Sequence, residues 1–380
     1  MAGAAGAAAG VGHVTLSVDL RHRFAGFALD ARFEAPKGIT VLFGRSGSGK
    51  TTIVNAVAGL LRPDAGRIAA DDLVLFDTAR GLWLPPHRRR IGYIFQEGRL
   101  FPHLSVRQNL HYGSWFSPNR ATPEDFDRVV AMLGIGALLA RRPGALSGGE
   151  KQRVAIGRAL LSSPRMILAD EPLAALDEAR KSEILPYFER LRDEAKIPIL
   201  FVSHSAAEVA RLATTVVVLE GGCVTRQGPA VEVLADPAVT PLGARAAGAV
   251  LSARVARHHD DGLTELDAGG AALFIPRLAA APGTPVRVRI AAHEVILSRQ
   301  RPEGLSALNI ISGKVQEIRA GDGPGMLVSL DTAAGRVLAR ITRRSAQALE
   351  LAPGTPCHAV MKTVAVAPED IGGQGRDASK

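Results

Sequence analysis

The sequence predicts an α/β domain with a helical subdomain, followed by a smaller all-β domain. Three observations support this division. Between about residues 14 and 235, continuously apolar runs alternate with stretches of helical periodicity, as expected for strands joined by crossover helices. A glycine-rich turn directly joins the first such run to a helix. After about residue 240, short alternating strands with frequent Gly and Pro replace this pattern.

The first domain, 14–240, contains four apolar runs typical of strands that are covered on both faces, namely ITVLF (39–43), RMILAD (165–170), IPILFVSH (197–204) and TTVVVLEGG (214–222). Helical stretches such as Lys50–Leu61 and Glu150–Leu161 lie between them, so we expect a mostly parallel sheet. Residues 98–146 show helical patterns without a comparable strand and indicate a helical insert.

The second domain, 241–380, contains an internal repeat. Two pairs of segments are similar, LSARV (251–255) to ISGKV (311–315) and APGTPVRVRIAAHEV (281–295) to APGTPCHAVMKTVAV (352–366). Two β units, 251–297 and 311–366, favour a compact OB-like barrel over a solenoid, which needs more repeats.

Composition limits the class of protein. The 380 residues carry a formal net charge of +9, mostly from scattered Arg near Asp or Glu, which favours solvated faces over a nucleic-acid surface. Cys223 and Cys357 lie far apart without a neighbouring Cys or His, which argues against disulfides and zinc; both are expected to be buried. No run reaches the roughly 18–20 apolar residues of a membrane span, and residues 1–13 are expected to form a flexible tail rather than a signal peptide. We therefore expect a cytoplasmic chain.

The glycine-rich turn predicts a phosphate site. GRSGSGKT matches G-x-x-x-x-G-K-[ST] between a strand and a helix, the context in which backbone N–H groups bind phosphate oxygens. Lys50 is expected to reach the β- and γ-phosphates of ATP, and Thr51 to bind Mg²⁺. The predicted phosphate-binding residues are Gly44, Arg45, Ser46, Gly47, Ser48, Gly49, Lys50, Thr51 and Thr52.

A pair of carboxylates completes the predicted chemistry. In RMILADEP, Asp170 ends an apolar strand at the edge where α/β folds bind ligands, and it is expected to hold Mg²⁺. Glu171 is then placed to accept the proton of an attacking water. These features predict a P-loop ATPase.

The stretch LSGGEKQRVAIGRAL (146–160) identifies the kind of ATPase. It resembles the signature of ABC-type ATPases and lies just before Asp170, as in that family. Ser147, Gly148, Gly149 and Glu150 begin a helix, whose free N–H groups offer a second anion site. The resemblance implies a homodimer in which two chains stack head to tail, so that this site closes over the γ-phosphate held by the partner.

Other family motifs follow in order. By resemblance, Gln96 in YIFQ reaches the Mg²⁺ and the water, AALD (174–177) is the D-loop, and His204 in FVSH contacts the γ-phosphate. The family stacks an aromatic ring on adenine, for which Phe24 is the first candidate and Phe27 the alternative.

The stretch 84–113 and the β-rich tail resemble importer ATPases. In such importers Leu100, Phe101 and Leu104 would receive a helix of the membrane permease; ordinary packing within the helical insert is the alternative. The Arg88–Arg90 cluster has no aromatic platform for nucleic acid and is interpreted as a solvated turn.

Three tail segments, SALNIISGKV (306–315), ARITRRSAQAL (339–349) and MKTVAV (361–366), resemble the oxyanion-binding Mop (TOBE-like) domain of molybdate importer ATPases. Donors that could bind a tetrahedral dianion are Ser306, Asn309, Thr342, Ser345 and Lys362. The first repeat has Ala291 where the second has lysine, so a purely structural domain that fixes the dimer is the alternative.

The resemblance therefore predicts the ATP-binding subunit of a molybdate importer, a homodimer at the cytoplasmic face of the inner membrane. Its expected cofactors are ATP and Mg²⁺, and its expected partners are a permease and, indirectly, a periplasmic or surface molybdate-binding protein, with no nucleic acid. Rival interpretations are a sulfate, polyamine or sugar importer ATPase and a soluble ABC ATPase of DNA repair or translation. A DNA-binding molybdate sensor would lack the phosphate site.

Overall fold

The computed structural model describes residues 14–115, 120–174, 176–194, 197–239, 243, 247–321, 323–367 and 370–372. The expected tail at 1–13 and one position of the expected D-loop, 175, lie outside the described residues.

The described part of the first domain is built on an eleven-stranded sheet. Its strands are β1 (Val14–Phe24), β2 (Phe27–Pro36), β3 (Gly38–Phe43), β4 (Ala65–Ala70), β5 (Leu73–Asp77), β6 (Leu82–Trp83), β7 (Ile91–Ile94), β8 (Met166–Asp170), β9 (Pro198–Ser203), β10 (Thr215–Glu220) and β11 (Cys223–Pro229). Their order is β6-β5-β4-β1-β2-β11-β10-β3-β9-β8-β7.

The prediction of a mostly parallel sheet is wrong for half of it. The strands β10, β3, β9, β8 and β7 are parallel neighbours. By contrast, β1, β2, β4, β5 and β6 are antiparallel neighbours, with β1 between β2 and β4. The reason is visible in β2, whose residues alternate between buried and exposed, as in a strand with one solvated face. Such alternating strands lack the continuous apolar runs from which the parallel part was predicted.

Eight helices occur in the described residues: α1 (Lys50–Ala58), α2 (Val106–Trp115), α3 (Pro123–Leu133), α4 (Gly148–Leu161), α5 (Glu178–Glu194), α6 (Ala206–Leu212), α7 (Ala230–Leu234) and α8 (Arg343–Ala348). Helix α1 packs beside β8 and β9, whereas α2 and α3 pack against α4. The main core lies between the parallel strands and α4 and α5, where Ile39, Ile167, Ile199 and Phe201 are fully or almost fully buried.

The tail contains two five-stranded sheets. The first has β12 (Gly248–His258), β13 (Leu263–Ala268), β14 (Ala271–Pro276), β15 (Pro285–Ala291) and β21 (Ile371–Gly372); the second has β16 (Ile296–Ser298), β17 (Asn309–Ala320), β18 (Gly325–Thr332), β19 (Gly335–Thr342) and β20 (Pro356–Met361). The similar segments occupy matching places, because β12 pairs with β15 as β17 pairs with β20.

The two repeats of the tail pack crosswise, because each places a helical turn on a strand of the other sheet. The helical turn 292–294 of the first repeat packs on β19, and the turn 363–365 of the second packs on β14. The fully buried Asn309, the first residue of β17, accepts a hydrogen bond from Phe274 N at 2.7 Å and donates one to Phe274 O at 2.8 Å. Each repeat therefore completes the packing of the other.

The tail also contacts the first domain. Arg287 in β15 donates a hydrogen bond to the Ala213 carbonyl oxygen, which follows α6, at 2.6 Å. A small cluster joins Ala235, at the end of α7, to side chains of β12, β18 and β19.

Candidate active site

Four parallel strands end at one edge of the sheet, where the predicted site residues meet. Phe43, which precedes the glycine-rich turn, pairs with Ser203, and Asp170 pairs with Val202. Ile94 pairs with Ala169, so Gln96 follows β7 at the same edge. This is the carboxyl edge at which open α/β sheets bind ligands.

The glycine-rich turn closes tightly around the start of α1. Gly47 and Gly49 have φ values of 80° and 102°, a region that favours glycine. A Cβ on Gly44 would lie 2.3 Å from the Leu219 carbonyl oxygen, so only glycine fits there. Lys50 is 4% exposed and its ammonium donates hydrogen bonds to the carbonyl oxygens of Gly44 and Arg45, both at 2.8 Å. The loop thus encloses a cation at a helix N-terminus, a suitable arrangement for a phosphate.

The remaining residues of the predicted loop differ in exposure. Arg45, Ser46, Gly47 and Thr51 are exposed, Ser48 is buried, and Thr52 and Gly49 are partly buried.

Burial shifts the pKa values of two groups at this edge. Burial lowers the pKa of the Lys50 ammonium, while the nearby Glu171 and Asp170 carboxylates oppose that shift. Burial raises the pKa of Asp170, because removal from water disfavours the carboxylate; hydrogen bonds from Thr51 and Tyr93 and the charge of Lys50 act in the opposite direction. A cation that screens the carboxylate is therefore favoured here.

The donor set fits Mg²⁺. The Thr51 hydroxyl lies 3.3 Å from Asp170 Oδ1, so two oxygen ligands of the kind that this hard cation prefers already face each other. Gln96 is exposed, and within the described residues no hydrogen bond joins it to Thr51 or Asp170. The described residues contain no group of three or more His, Cys, Asp and Glu side chains that would suit a metal such as zinc.

Glu171 and His204 face each other beyond the end of the sheet. His204 Nδ1 lies 3.6 Å from Glu171 Oε2, and both side chains are accessible to solvent. Glu171 has a φ of 46°, which is uncommon for a residue with a side chain, and its carbonyl oxygen accepts a hydrogen bond from Ala174 N. This turn directs the Glu171 carboxylate away from the strand and toward His204.

The start of α4, where the second N–H site is expected, carries a side-chain cap. Ser147 and Glu150 form a capping box, in which Glu150 N donates to Ser147 Oγ at 3.2 Å and Ser147 N donates to Glu150 Oε2 at 2.7 Å. The same hydrogen bond from Ser147 lowers the pKa of Glu150. Gly148 is exposed near Arg180, and in the described structure no hydrogen bond joins Ser147–Glu150 to the phosphate loop of the same chain.

The two candidate aromatic residues occupy different places. Phe24 is 45% exposed at the tip of the β1–β2 hairpin, with its ring centroid 6.4 Å from that of Phe27. The Phe27 ring lies against Gly49, where a Cβ would come within 3.3 Å of it. Phe27 therefore packs beneath the loop, whereas the Phe24 ring is partly exposed and contacts the His22 ring, with centroids 4.5 Å apart.

Two expectations about surface residues are wrong. Arg89, in the cluster expected to be solvated, is 1% exposed and donates to the carbonyl oxygens of Leu84, Ala56 and Val57 at 2.7–2.8 Å. Its neighbour Arg88 is exposed as expected. Cys223, expected to be buried, is exposed because it lies on the solvated strand β11.

Sequence reasoning missed two residues that contact Asp170 or its neighbours. The hydroxyl of Tyr93 lies 3.4 Å from Asp170 Oδ2 and 3.4 Å from Asn55 Oδ1. The available signal was the position of Tyr93 near the end of a strand and of Asn55 one helical turn after Thr51.

The predicted permease surface, Leu100, Phe101 and Leu104, is partly buried. The Phe101 ring lies 4.1 Å from that of Tyr112 in α2, and Asn109 accepts a hydrogen bond from Phe101 N. These contacts fix the segment on the helical insert and leave part of it accessible. No helix of the described residues has the length and apolar composition required to cross a bilayer.

The five predicted oxyanion donors do not form one cluster. The amide of Asn309 is buried and bonded to Phe274, so it is not an accessible donor. Thr342 and Ser345 lie together, with their hydroxyl oxygens 2.8 Å apart, beside a cavity of about 610 Å³. Ser306 and Lys362 are exposed and do not line that cavity. The prediction that all five act together in one chain is therefore wrong.

Comparisons with known proteins agree with this fold and site. A family model described as ABC transporter matches residues 30–174, and one described as TOBE domain matches residues 305–368. The molybdenum import ATP-binding protein of Mesorhizobium japonicum is 54% identical over 353 residues, 92% of this chain and 95% of that protein. That of Paramagnetospirillum magneticum is 47% identical over 360 residues, 94% of this chain and 99% of that protein. Among solved structures, cbiO1 from Clostridium perfringens, part of an ABC transporter complex, is 29% identical with a TM-score of 0.51, and the match covers 59% of this chain and 92% of that one.

Proposed function

Since the chain belongs to the family of the molybdenum import ATP-binding proteins, we propose that it couples ATP hydrolysis to molybdate import through the edge of the sheet at Lys50, Asp170 and Glu171. The predicted family and fold class are confirmed by relatives that match nearly the whole chain, tail included. Because the match includes the tail, it favours a molybdate importer over a sulfate, polyamine or sugar importer. A soluble ABC ATPase of repair or translation is not supported, because these relatives are import proteins.

The residues at the sheet edge have distinct roles in the proposed reaction. Lys50 and the N–H groups of the loop bind the phosphates. Glu171 accepts the proton of the attacking water, and His204, 3.6 Å from it, contacts the γ-phosphate. Thr51 and Asp170 would hold Mg²⁺, which would neutralise phosphate charge, and Gln96, which follows the end of β7, is the further proposed ligand.

The second N–H site supports a homodimer. Ser147–Glu150 expose a capped helix start that has no bond to the phosphate loop of its own chain. A head-to-tail dimer would bring it to the γ-phosphate bound by the partner, where the N–H groups and the helix dipole favour an anion. Phe24, which is 45% exposed, is the proposed adenine platform.

The permease would bind at the segment that carries Leu100, Phe101 and Leu104. This segment is fixed on the helical insert and partly accessible, which suits a docking surface that must transmit a movement. We place the chain at the cytoplasmic face of the inner membrane beneath a permease that a periplasmic or surface molybdate-binding protein supplies, without a nucleic-acid partner.

In the tail, Thr342 and Ser345 remain the proposed oxyanion donors. Ser306 and Lys362 are exposed and available to an anion bound at the surface. Asn309 is not among the proposed donors, because its amide is bonded to Phe274. A tail that only fixes the dimer is the competing proposal.

Molybdate uptake tests the function. The chain is expressed with a molybdate permease and its binding protein, in a bacterium that lacks its own molybdate importer. We expect uptake of radioactive molybdate that persists in excess sulfate and is lost in Glu171→Gln, which keeps the size of the side chain but removes the base. Uptake that sulfate abolishes, or that Glu171→Gln preserves, would contradict the proposal.

A further inference from the structure

Two hydrogen bonds hold the Asp170 carboxylate, and one of the two donors also contacts Asn55. The Thr51 hydroxyl lies 3.3 Å from Oδ1, and the Tyr93 hydroxyl lies 3.4 Å from Oδ2. The Tyr93 hydroxyl is also 3.4 Å from the Oδ1 atom of Asn55. Thr51 and Asn55 are four residues apart in α1 and share one face of it. One oxygen of the carboxylate therefore faces the phosphate loop, and the other faces Tyr93.

The Tyr93 ring is itself held in place. Tyr93 lies in β7, opposite Leu168 of the parallel neighbour β8, two residues before Asp170. Its ring stacks on Phe95 with centroids 4.1 Å apart and an interplanar angle of 21°. The guanidinium of Arg99 lies 4.5 Å from the Phe95 centroid on this stack. With the ring fixed, the direction of the hydroxyl toward Asp170 is also fixed.

We propose that Tyr93 is a positioning residue for the metal site: its hydroxyl binds Asp170 Oδ2 and so presents Oδ1 to the Mg²⁺ that ATP carries. The proposal rests on the proposed function. Partners of this kind, which orient a metal ligand without touching the metal, commonly change metal affinity tenfold or more.

The chemistry of Tyr93 suits this role. A tyrosine hydroxyl is protonated at neutral pH, and this one lies within hydrogen-bond distance of Asp170 Oδ2, so it donates to the carboxylate. Asn55 can turn its amide to donate to the same hydroxyl oxygen, which leaves the tyrosine proton for Asp170. Phe95, on which the Tyr93 ring stacks, immediately precedes Gln96 in the chain.

Tyr93→Phe tests the hydroxyl alone, because it keeps the ring and its stack. Tyr187→Phe is the matched control: Tyr187 is buried where Tyr93 is partly buried, and its hydroxyl also has a 3.4 Å partner, Arg153, but away from the sheet edge. Calorimetry with a non-hydrolysable ATP analogue, with and without Mg²⁺, measures how much Mg²⁺ strengthens binding. We expect Tyr93→Phe to need about tenfold more Mg²⁺ for half of the effect, with metal-free binding unchanged. The Mg²⁺ dependence of hydrolysis should shift equally, and Tyr187→Phe should behave as the wild type.

A second measurement does not depend on the fold of Tyr93→Phe. The chain has three tyrosines, so wild-type protein labelled with 3-fluorotyrosine gives three fluorine resonances, of which Tyr112→Phe and Tyr187→Phe identify two. We expect Mg²⁺, added to the complex with the analogue, to move the remaining resonance of Tyr93 and not that of Tyr187.

The outcomes separate this proposal from the proposed function. A Mg²⁺ dependence of Tyr93→Phe equal to that of the wild type, an equal loss of binding with and without Mg²⁺, or a Tyr93 resonance that Mg²⁺ leaves in place would each overturn it. Wild-type protein that hydrolyses ATP without Mg²⁺ would instead contradict the function itself.

Discussion

Replacing Arg89 by methionine removes a buried cation from the C-terminal end of α1. The guanidinium donates to the carbonyl oxygens of Ala56 and Val57, in the last turn of that helix, and to Leu84 before β7. It also lies 4.5 Å from the centroid of the Trp83 ring. Burial lowers the pKa of Arg89 to about 10, so the side chain is still charged at neutral pH and complements the negative end of the helix dipole.

The expected loss of stability comes from the carbonyl oxygens that lose the hydrogen bonds donated by Arg89. Ala56 O keeps a hydrogen bond from Gly59 N, but Val57 O and Leu84 O lose their charged donor. A buried group without a partner costs about 1–3 kcal/mol, so the two cost roughly 2–6 kcal/mol together. Relief from burying the charge offsets part of this, and we expect a net loss of about 3 kcal/mol. For a domain of more than 150 residues this lowers the melting temperature by about 6–12 °C.

Thermal unfolding followed by circular dichroism measures the effect, with Arg88→Met as the matched control. Arg88 is the exposed neighbour, and its substitution should change the free energy of unfolding by less than about 0.5 kcal/mol. If Arg89→Met melts within 2 °C or so of Arg88→Met, the hydrogen bonds of Arg89 to α1 do not stabilise the domain and the reasoning fails.

Three further results are expected. Glu171→Gln should keep ATP binding, lose turnover and accumulate as a dimer with ATP and Mg²⁺, as size measurements would detect; a monomer with near-normal hydrolysis would contradict the assigned base. Ser147→Arg and Lys50→Ala should each abolish hydrolysis, yet a mixture should regain part of it, because one composite site of the mixed dimer carries neither change; a mixture that stays inactive argues against head-to-tail sharing. Asn309→Ala should leave the N–H and carbonyl of Phe274 unpaired and cost about 2–4 kcal/mol in urea unfolding, whereas an unchanged midpoint would show that the crossing bonds contribute nothing.

The sequence predicted those parts of the site that are continuous in the chain. The turn before Lys50 and the strand that ends at Asp170 each carry their chemistry in a short segment, and the rule that parallel strands end together placed them at one edge. Tyr93 was not predicted because its contact with Asp170 depends on the lateral register of β7 and β8 and on the rotation of α1. No local pattern carries that information.

Arg89 and Asn309 also differ from expectation because of contacts between segments that are distant in the sequence. Three consecutive arginines look alike in a sequence, and only the packing of the turn after β6 against the end of α1 buries Arg89 and exposes Arg88. In the tail, Asn309 follows Ser306 in a segment similar to an anion-binding one, and its polar amide suggested a ligand. The structure uses this amide for a bond between repeats, because β17 passes β14 at that point.

The crossed packing of the tail makes it a dimer within one chain. The connection 299–308 runs through mostly exposed residues, whereas Asn309 and the turns 292–294 and 363–365 hold the halves together. What the connection supplies is a high local concentration of one half around the other. A single cut there would leave the tail assembled, but its melting temperature would then rise with protein concentration, as in any complex of two separate pieces.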